Sequence, residues 1–242
     1  MSTLPLDGAL DRPRPAPEAV LVLSEKIGSG HDRECWRHPS NPSLGIKVAK
    51  PDQERAQNEI DYHYGRHLAR LGIAGPHLPR VHGWVQINRG RGLVVDLMLQ
   101  PDGTPCPTLP QAVRSGMISE IEAVGLIYET SEWLARHGVM LADRGLDNFV
   151  VRRSKDDGRL HLVIIDGLGT RHFDIKYWAR CTFGWLERRA ARQKAVSFRD
   201  KTLEMLRDRS SKMWVSAKRA AEIQPGGQPT ALIAADALRG PT

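Results

Sequence analysis

The sequence predicts an α+β fold in two unequal parts: a strand-rich first half carrying one helix, and a mainly helical second half. Three observations carry that prediction. Short apolar runs, separated by turns bearing glycine and proline, fill residues 20–97. Apolar residues spaced by three and four stand out at residues 60–71, then over 119–136, and in pieces within 173–220. A joint with four prolines, between Pro101 and Pro110, separates the halves. The boundaries read from the chain are a lead-in of 1–18, a first lobe of 19–100, a second lobe of 101–220 and a tail of 221–242.

The elements follow in order. Residues 20–23 are an apolar stretch of strand length. Gly28-Ser29-Gly30 reads as a turn, and 34–38 as the returning strand. Pro39-Ser40-Asn41-Pro42 is a further turn signal. Residues 44–49 alternate, with Leu44, Ile46 and Val48 on one face and Gly45, Lys47 and Ala49 on the other. Pro51 and Asp52 mark a helix start, Ile60, Tyr64, Leu68 and Leu71 form its apolar stripe, and Gly72 ends it. Val81–Ile87 and 92–97 read as strands around the turn 88–91. In the second half, Phe149–Arg153 and 160–165 form a hairpin joined by Lys155-Asp156-Asp157-Gly158.

Composition bounds the function classes. The 242 residues suit one bilobed unit, and 40% hydrophobic content supplies a core. No run of 18 apolar residues exists, so no transmembrane helix is expected. The Pro-rich lead-in has no apolar core of the kind a secretory signal needs, and both it and the Gly/Pro/Ala-rich tail are expected to be disordered. Three widely spaced cysteines, Cys35, Cys106 and Cys181, give neither a disulfide framework nor a zinc motif, which points to a reducing cytoplasm. The net charge of +7 is uneven: residues 176–219 hold 13 basic against 4 acidic side chains.

The candidate chemistry lies along both halves. Gly28 and Gly30, with Ser29 between them, let backbone approach phosphates closely, although an ordinary hairpin turn has the same composition. Lys47 stands on a face of small residues, Gly45 and Ala49, which leaves room for a flat ligand and lets the ammonium meet phosphates. A pocket lysine needs a carboxylate partner; Glu59 is assigned, with Glu54 in reserve, while a helix pair of Glu59 with Arg55 is the competing use. An adenine ring would rest against Val94 to Met98, where backbone groups supply hydrogen bonds. Asp143 emerges from the apolar Val139-Met140-Leu141-Ala142, five residues before Asn148. Asp166 ends the run Leu162-Val163-Ile164-Ile165, where a carboxylate is costly unless paired or bound to metal. Glycine loop, strand lysine, helix carboxylate, Asp-x4-Asn and a second Asp is the order of a protein-kinase-type phosphotransferase. In that reading Asp143 takes the proton of the acceptor hydroxyl, with Asp147 its competitor. Asn148 and Asp166 hold magnesium, and the cofactors are ATP and Mg2+.

Together these residues resemble the protein-kinase-like superfamily, and within it the YrbL family, bacterial proteins named for the PhoP regulatory network. The resemblance rests on Gly28-Ser29-Gly30, Cys35-Trp36-Arg37-His38-Pro39, Ile46-Lys47, Glu59, Gly92-Leu93-Val94-Val95-Asp96, Asp102-Gly103, Asn148 and Asp166. It covers roughly residues 20 to 190, and Cys-x-x-His-Pro is its most family-specific piece. It implies a small bilobal protein-kinase-like fold with a strand-rich N-lobe and a short helical C-lobe. Against kinases in general, Arg33 stands where a third loop glycine is usual, Leu141-Ala142 replace His-Arg, and Gly145 replaces a phosphate-contacting lysine. Gly167-Leu168 replace Phe-Gly, and no Ala-Pro-Glu follows. Those departures favour a small-molecule kinase or a pseudokinase over a regulated protein kinase, and Asp143 is the best argument for activity.

Three functions therefore compete. The first is an ATP-dependent phosphotransferase with an unidentified acceptor. The second is a nucleotide-binding pseudokinase acting as a bacterial regulatory protein. The third is a nucleic-acid or acidic-surface binder acting through 176–219; it ranks last, because a Lys/Arg-rich helix is usually a solvated face and stacking aromatics (Trp178, Trp185, Trp214) are sparse there.

Overall fold

The protein is described by a computed structural model covering residues 20–51, 56–170, 172, 182–211 and 213–214. The first lobe is a five-stranded antiparallel sheet with one helix on it. Its strands are β1 (Lys26–Ser29), β2 (Arg33–His38), β3 (Asn41–Ala49), β4 (Val81–Ile87) and β5 (Gly90–Asp96), in spatial order β1-β2-β3-β5-β4. The alternation expected around Lys47 is what sorts the two faces. Ile46 and Val48 join Leu23, Trp36, Ile87 and Val94 in an apolar cluster on one side. On the other side lies α1 (Gln57–Arg70), which buries Ile60, Tyr64 and Leu68. A Cβ on Gly65 would come within 2.7 Å of the Val81 side chain, so this glycine lets the helix settle close to β4. Leu71, expected on the buried stripe, is 55% exposed, because the helix closes there and Gly72 turns away at φ +68°.

Two further details differ from the pattern. Residues 20–23 contribute only one isolated parallel bridge, Leu21 to Ile87, and no full strand. Gly28 and Ser29 lie within β1; the chain reverses after them, with the Gly30 N–H donating to the Arg33 carbonyl at 2.9 Å.

The second lobe holds α2 (Leu109–Arg114), α3 (Glu120–His137), the hairpin β6 (Phe149–Arg153) with β7 (Leu160–Ile164), and α4 (Gly184–Arg207). α2 falls at the end of what reads as a proline joint. Pro110 is harmless in a first helical turn, and Thr108 with Gln111 forms a capping box that starts the helix. Ser119 and Glu122 cap α3 in the same way, and Gly138 closes it at φ +71°. The core gathers Leu109, Ile127, Leu134, Phe149, Leu162 and Phe198, with Phe149 and Phe198 stacked at 4.5 Å. Basic α4 is a core helix: it buries Ala191, Ala195, Phe198, Leu203 and Leu206 and turns most of its charges outward. No helix among the described residues is long and apolar enough to cross a membrane. Glu54, Trp178, Cys181, the lead-in 1–18 and the tail 221–242 lie outside the described residues.

Candidate active site

Lys47 sits near the C-terminal end of β3 and is buried, with its ammonium pointing toward the second lobe. It donates to Asp61 Oδ2 at 2.8 Å and to the Ile165 carbonyl at 2.7 Å. The carboxylate partner is therefore Asp61, and the assignment of Glu59 is corrected. Glu59 pairs instead with Arg91 on β5, away from Lys47. Helix geometry explains the difference. At about 100° per residue, Asp61 lies about 60° from the centre of the Ile60/Tyr64/Leu68 stripe, and Glu59 about 140° from it.

Arg33 completes this arrangement, a role that no local pattern in the chain signals. It opens β2 and is buried, reaching across the cleft. Its Nε donates to Asp166 Oδ2 at 3.1 Å, and its Nη2 makes a very short contact with Asp166 Oδ1. Nη2 also lies 2.9 Å from Asp61 Oδ2, while Nη1 donates to Asn58 Oδ1 at 3.0 Å. Asn58 in turn donates to the Lys47 carbonyl at 3.0 Å. Two cations and two carboxylates thus form a charge-balanced quartet, Arg33, Lys47, Asp61 and Asp166. Burial pushes the Asp166 carboxyl up, but Lys47, Arg33 and the Gly167 N–H outweigh it and hold it below its ordinary range. Arg33 is likewise held above its ordinary value: burial works against its charge, and Asp61 and Asp166 more than compensate.

The loop bearing Asp143 and Asn148 is fastened to the segment after Asp166. The N–H groups of Ala142 and Asp143 both donate to the Gly167 carbonyl, at 2.7 and 3.0 Å, and Ile165 N–H donates to the Asn148 carbonyl at 2.9 Å. Gly167 is needed at the crossing. Its φ is +82°, and a Cβ there would lie 2.8 Å from Asp143 Cβ and 3.2 Å from the Asn148 amide nitrogen. Asp143, Asn148 and Asp166 therefore meet at one place. Asp143 Oδ1 accepts from the Gly145 N–H at 3.2 Å. Asp147, the competitor, is exposed in the short 3-10 turn Leu146–Asn148. Beside the quartet, between α1 and strands β4 and β5, lies a cavity of about 760 Å³ lined in part by Lys47, Asp61, Tyr64, Val95 and Asp166.

The remaining candidates are less open. Beside Gly45, Cys35 Sγ and Leu97 stand 3.2 and 3.5 Å from the position of a Cβ, so part of the expected room is filled. Met98 is buried against Val150 and Val163, and its carbonyl already accepts from the Cys106 N–H at 3.0 Å. Gly28 and Ser29 form the end of β1 with open space around Gly28. The oxygen donors of Asn148 and Asp166 suit a hard cation such as magnesium. Both Asp166 oxygens are engaged by Arg33, so that cation fits only where the guanidinium gives way.

The family described as PhoP regulatory network protein YrbL matches residues 21–202. The chain belongs to the YrbL family. Among curated relatives it is similar to the uncharacterized protein YrbL of Escherichia coli (strain K12) and of Shigella flexneri, each 33% identical over 96 residues. That match takes in 38% of this chain and 46% of each relative, so the chain spans about half the length of the curated relatives it matches. Among solved structures it is similar to the PknI kinase domain of Mycobacterium tuberculosis, at a TM-score of 0.41 and 18% identity, over 62% of this chain and 60% of that one. The α+β arrangement expected from the sequence, a strand-rich first half with one helix and a mainly helical second half, is the fold described above.

Proposed function

We propose that this YrbL family member is a kinase-type phosphotransferase, held in a resting form by its own Arg33. The observation that carries the reading is the meeting of Asp143, Asn148 and Asp166 opposite the Lys47–Asp61 ion pair. A lysine fixed by a helix carboxylate, facing an Asp/Asn/Asp set, is the constellation that phosphoryl transfer requires. Lys47 neutralises nucleotide phosphates, and Asp61 keeps it in place. The backbone of Gly28, Ser29 and Gly30 covers the phosphates. Asp143 accepts the proton of the attacking hydroxyl. Asn148 and Asp166 would hold magnesium, which when bound offsets phosphate charge. Arg33 keeps the Asp166 carboxylate neutralised until nucleotide arrives.

A second reading, a family regulator that does not transfer phosphate, is favoured by two observations. Arg33 is well built into the quartet, and the Met98 carbonyl is already in use. One experiment separates them. Under the first reading Mg-ATP raises the melting temperature of the wild type, and Lys47→Ala and Asp166→Asn each remove most of the rise. A wild-type melting curve indifferent to millimolar Mg-ATP would leave the regulator.

A further inference from the structure

A second cluster shares no residue with the quartet. His77 comes from the segment between α1 and β4, Glu129 from the middle of α3, and His161 from β7. One ligand atom from each lies within 4.8 Å of the others. Glu129 Oε1 is 3.9 Å from His77 Nε2 and 3.8 Å from His161 Nδ1, which is too far for a hydrogen bond. His161 Nδ1 is buried with no hydrogen-bond partner. A polar atom left so is costly, and its neighbours do not explain it.

His77 is oriented as a ligand would be. Its Nδ1 lies 2.8 Å from the Leu162 carbonyl, which only accepts, so Nδ1 carries the proton and Nε2 presents its lone pair to Glu129. The backbone fixes it further: Ile164 N–H donates to the His77 carbonyl at 2.9 Å. A backbone carbonyl behind one ring nitrogen is the usual support for a metal bound by the other. Tetrahedral zinc holds its ligand atoms about 3.3 Å apart, so the two edges that meet at Glu129 need to contract by about half an ångström, and the edge between the two histidines by at most about 1.5 Å. Glu129, the one half-exposed member, has the freedom to move by that much.

We propose that His77 Nε2, Glu129 Oε1 and His161 Nδ1 form a zinc site, with a fourth position open to solvent beside Glu129. Two imidazoles and one carboxylate favour zinc over magnesium, which takes oxygen donors. The ion would tie α3 and the segment before β4 to β7, the strand that leads into Asp166. This proposal does not depend on phosphate transfer.

The test uses the full chain, stripped with a chelator and titrated with zinc against a chromophoric chelator. One equivalent is expected to bind per chain and to raise the melting temperature. Glu129→Gln, on the helix surface, is expected to weaken binding at least about 100-fold, since loss of a supporting contact alone costs 10–100-fold. His161→Asn should do the same, while Glu132→Gln, one turn further along α3, leaves binding unchanged. Absence of zinc binding would overturn the site. So would binding that survives Glu129→Gln and His161→Asn, because the ion would then be held elsewhere.

Discussion

Replacing Arg33 with glutamine removes one of the two cations that balance Asp61 and Asp166. Lys47 is then left with two carboxylates, Asp61 largely buried and Asp166 34% exposed. Breaking a buried ion pair by deleting one partner costs about 3–5 kcal/mol, mostly because the other charge remains uncompensated. For a chain of this size each kcal/mol moves the melting temperature by about 2–4 °C, so the unliganded variant should melt roughly 6–20 °C lower. The same change releases both oxygens of Asp166 from Arg33 and leaves Oδ1 accepting from the Gly167 N–H at 2.6 Å. Mg-ATP should therefore stabilise the variant more than the wild type, and a ligand at a hundredfold excess over its Kd contributes about 2.7 kcal/mol. Calorimetric melting of both proteins, with and without Mg-ATP, reads both effects. The pH dependence has a definite sign. The folded-state pKa of Asp166 is depressed, so its contribution is whole above the ordinary carboxylate range and is lost as pH falls through the folded value. The gap between wild type and Arg33→Gln should narrow over that acidic window. A variant that melts like the wild type near neutral pH, or gains no more from Mg-ATP, would refute the reasoning.

Other perturbations follow from the same geometry. Asp61→Asn should cost about 3–5 kcal/mol and abolish Mg-ATP stabilisation, whereas Glu59→Gln, which loses a partly exposed pair with Arg91, should stay within about 1 kcal/mol; denaturant melts compare them directly. Gly167→Ala should cost at least about 1–3 kcal/mol, because a Cβ at φ +82° runs into Asp143, and a melting temperature equal to that of the wild type would contradict the crossing. Tyr64→Phe removes a buried hydroxyl that accepts from the Met140 N–H at 2.7 Å and donates to Glu187 at 3.2 Å; chemical denaturation should show a loss of about 1–3 kcal/mol.

What could be read in the sequence was what has a period or a fixed spacing. The alternation of residues 44–49 put Lys47 opposite Ile46 and Val48, and β3 has that pattern. The Asp143/Asn148 spacing and the apolar run before Asp166 marked residues that the fold brings together. The carboxylate partner is not legible in the sequence, because one position on a helix swings a side chain through about 100°, and Glu59 and Asp61 flank the same Ile60. In the sequence Arg33 stands out only as the absence of a third loop glycine. Its contact with Asp166 spans 133 residues, and a buried ion pair leaves no local signature. His77, Glu129 and His161 come from three separate stretches of the chain, and their separations match no ligand spacing motif. α2 is masked by Pro110 and the prolines that precede it, although Thr108-x-x-Gln111 is a capping signal.

The most direct test of the central claim is phosphate turnover from Mg-ATP by the wild type and by Asp143→Asn, with Mg-ATP binding measured on the same samples. The phosphotransferase reading predicts turnover in the wild type, by hydrolysis or by transfer to an added acceptor. It predicts that Asp143→Asn still binds Mg-ATP but is slower by roughly 10²–10⁴-fold, the usual contribution of a positioned acid or base. Asp147→Asn, in which an exposed carboxylate is changed, should match the wild type. A wild type that binds Mg-ATP yet turns over none, or an Asp143→Asn variant as fast as the wild type, would contradict it.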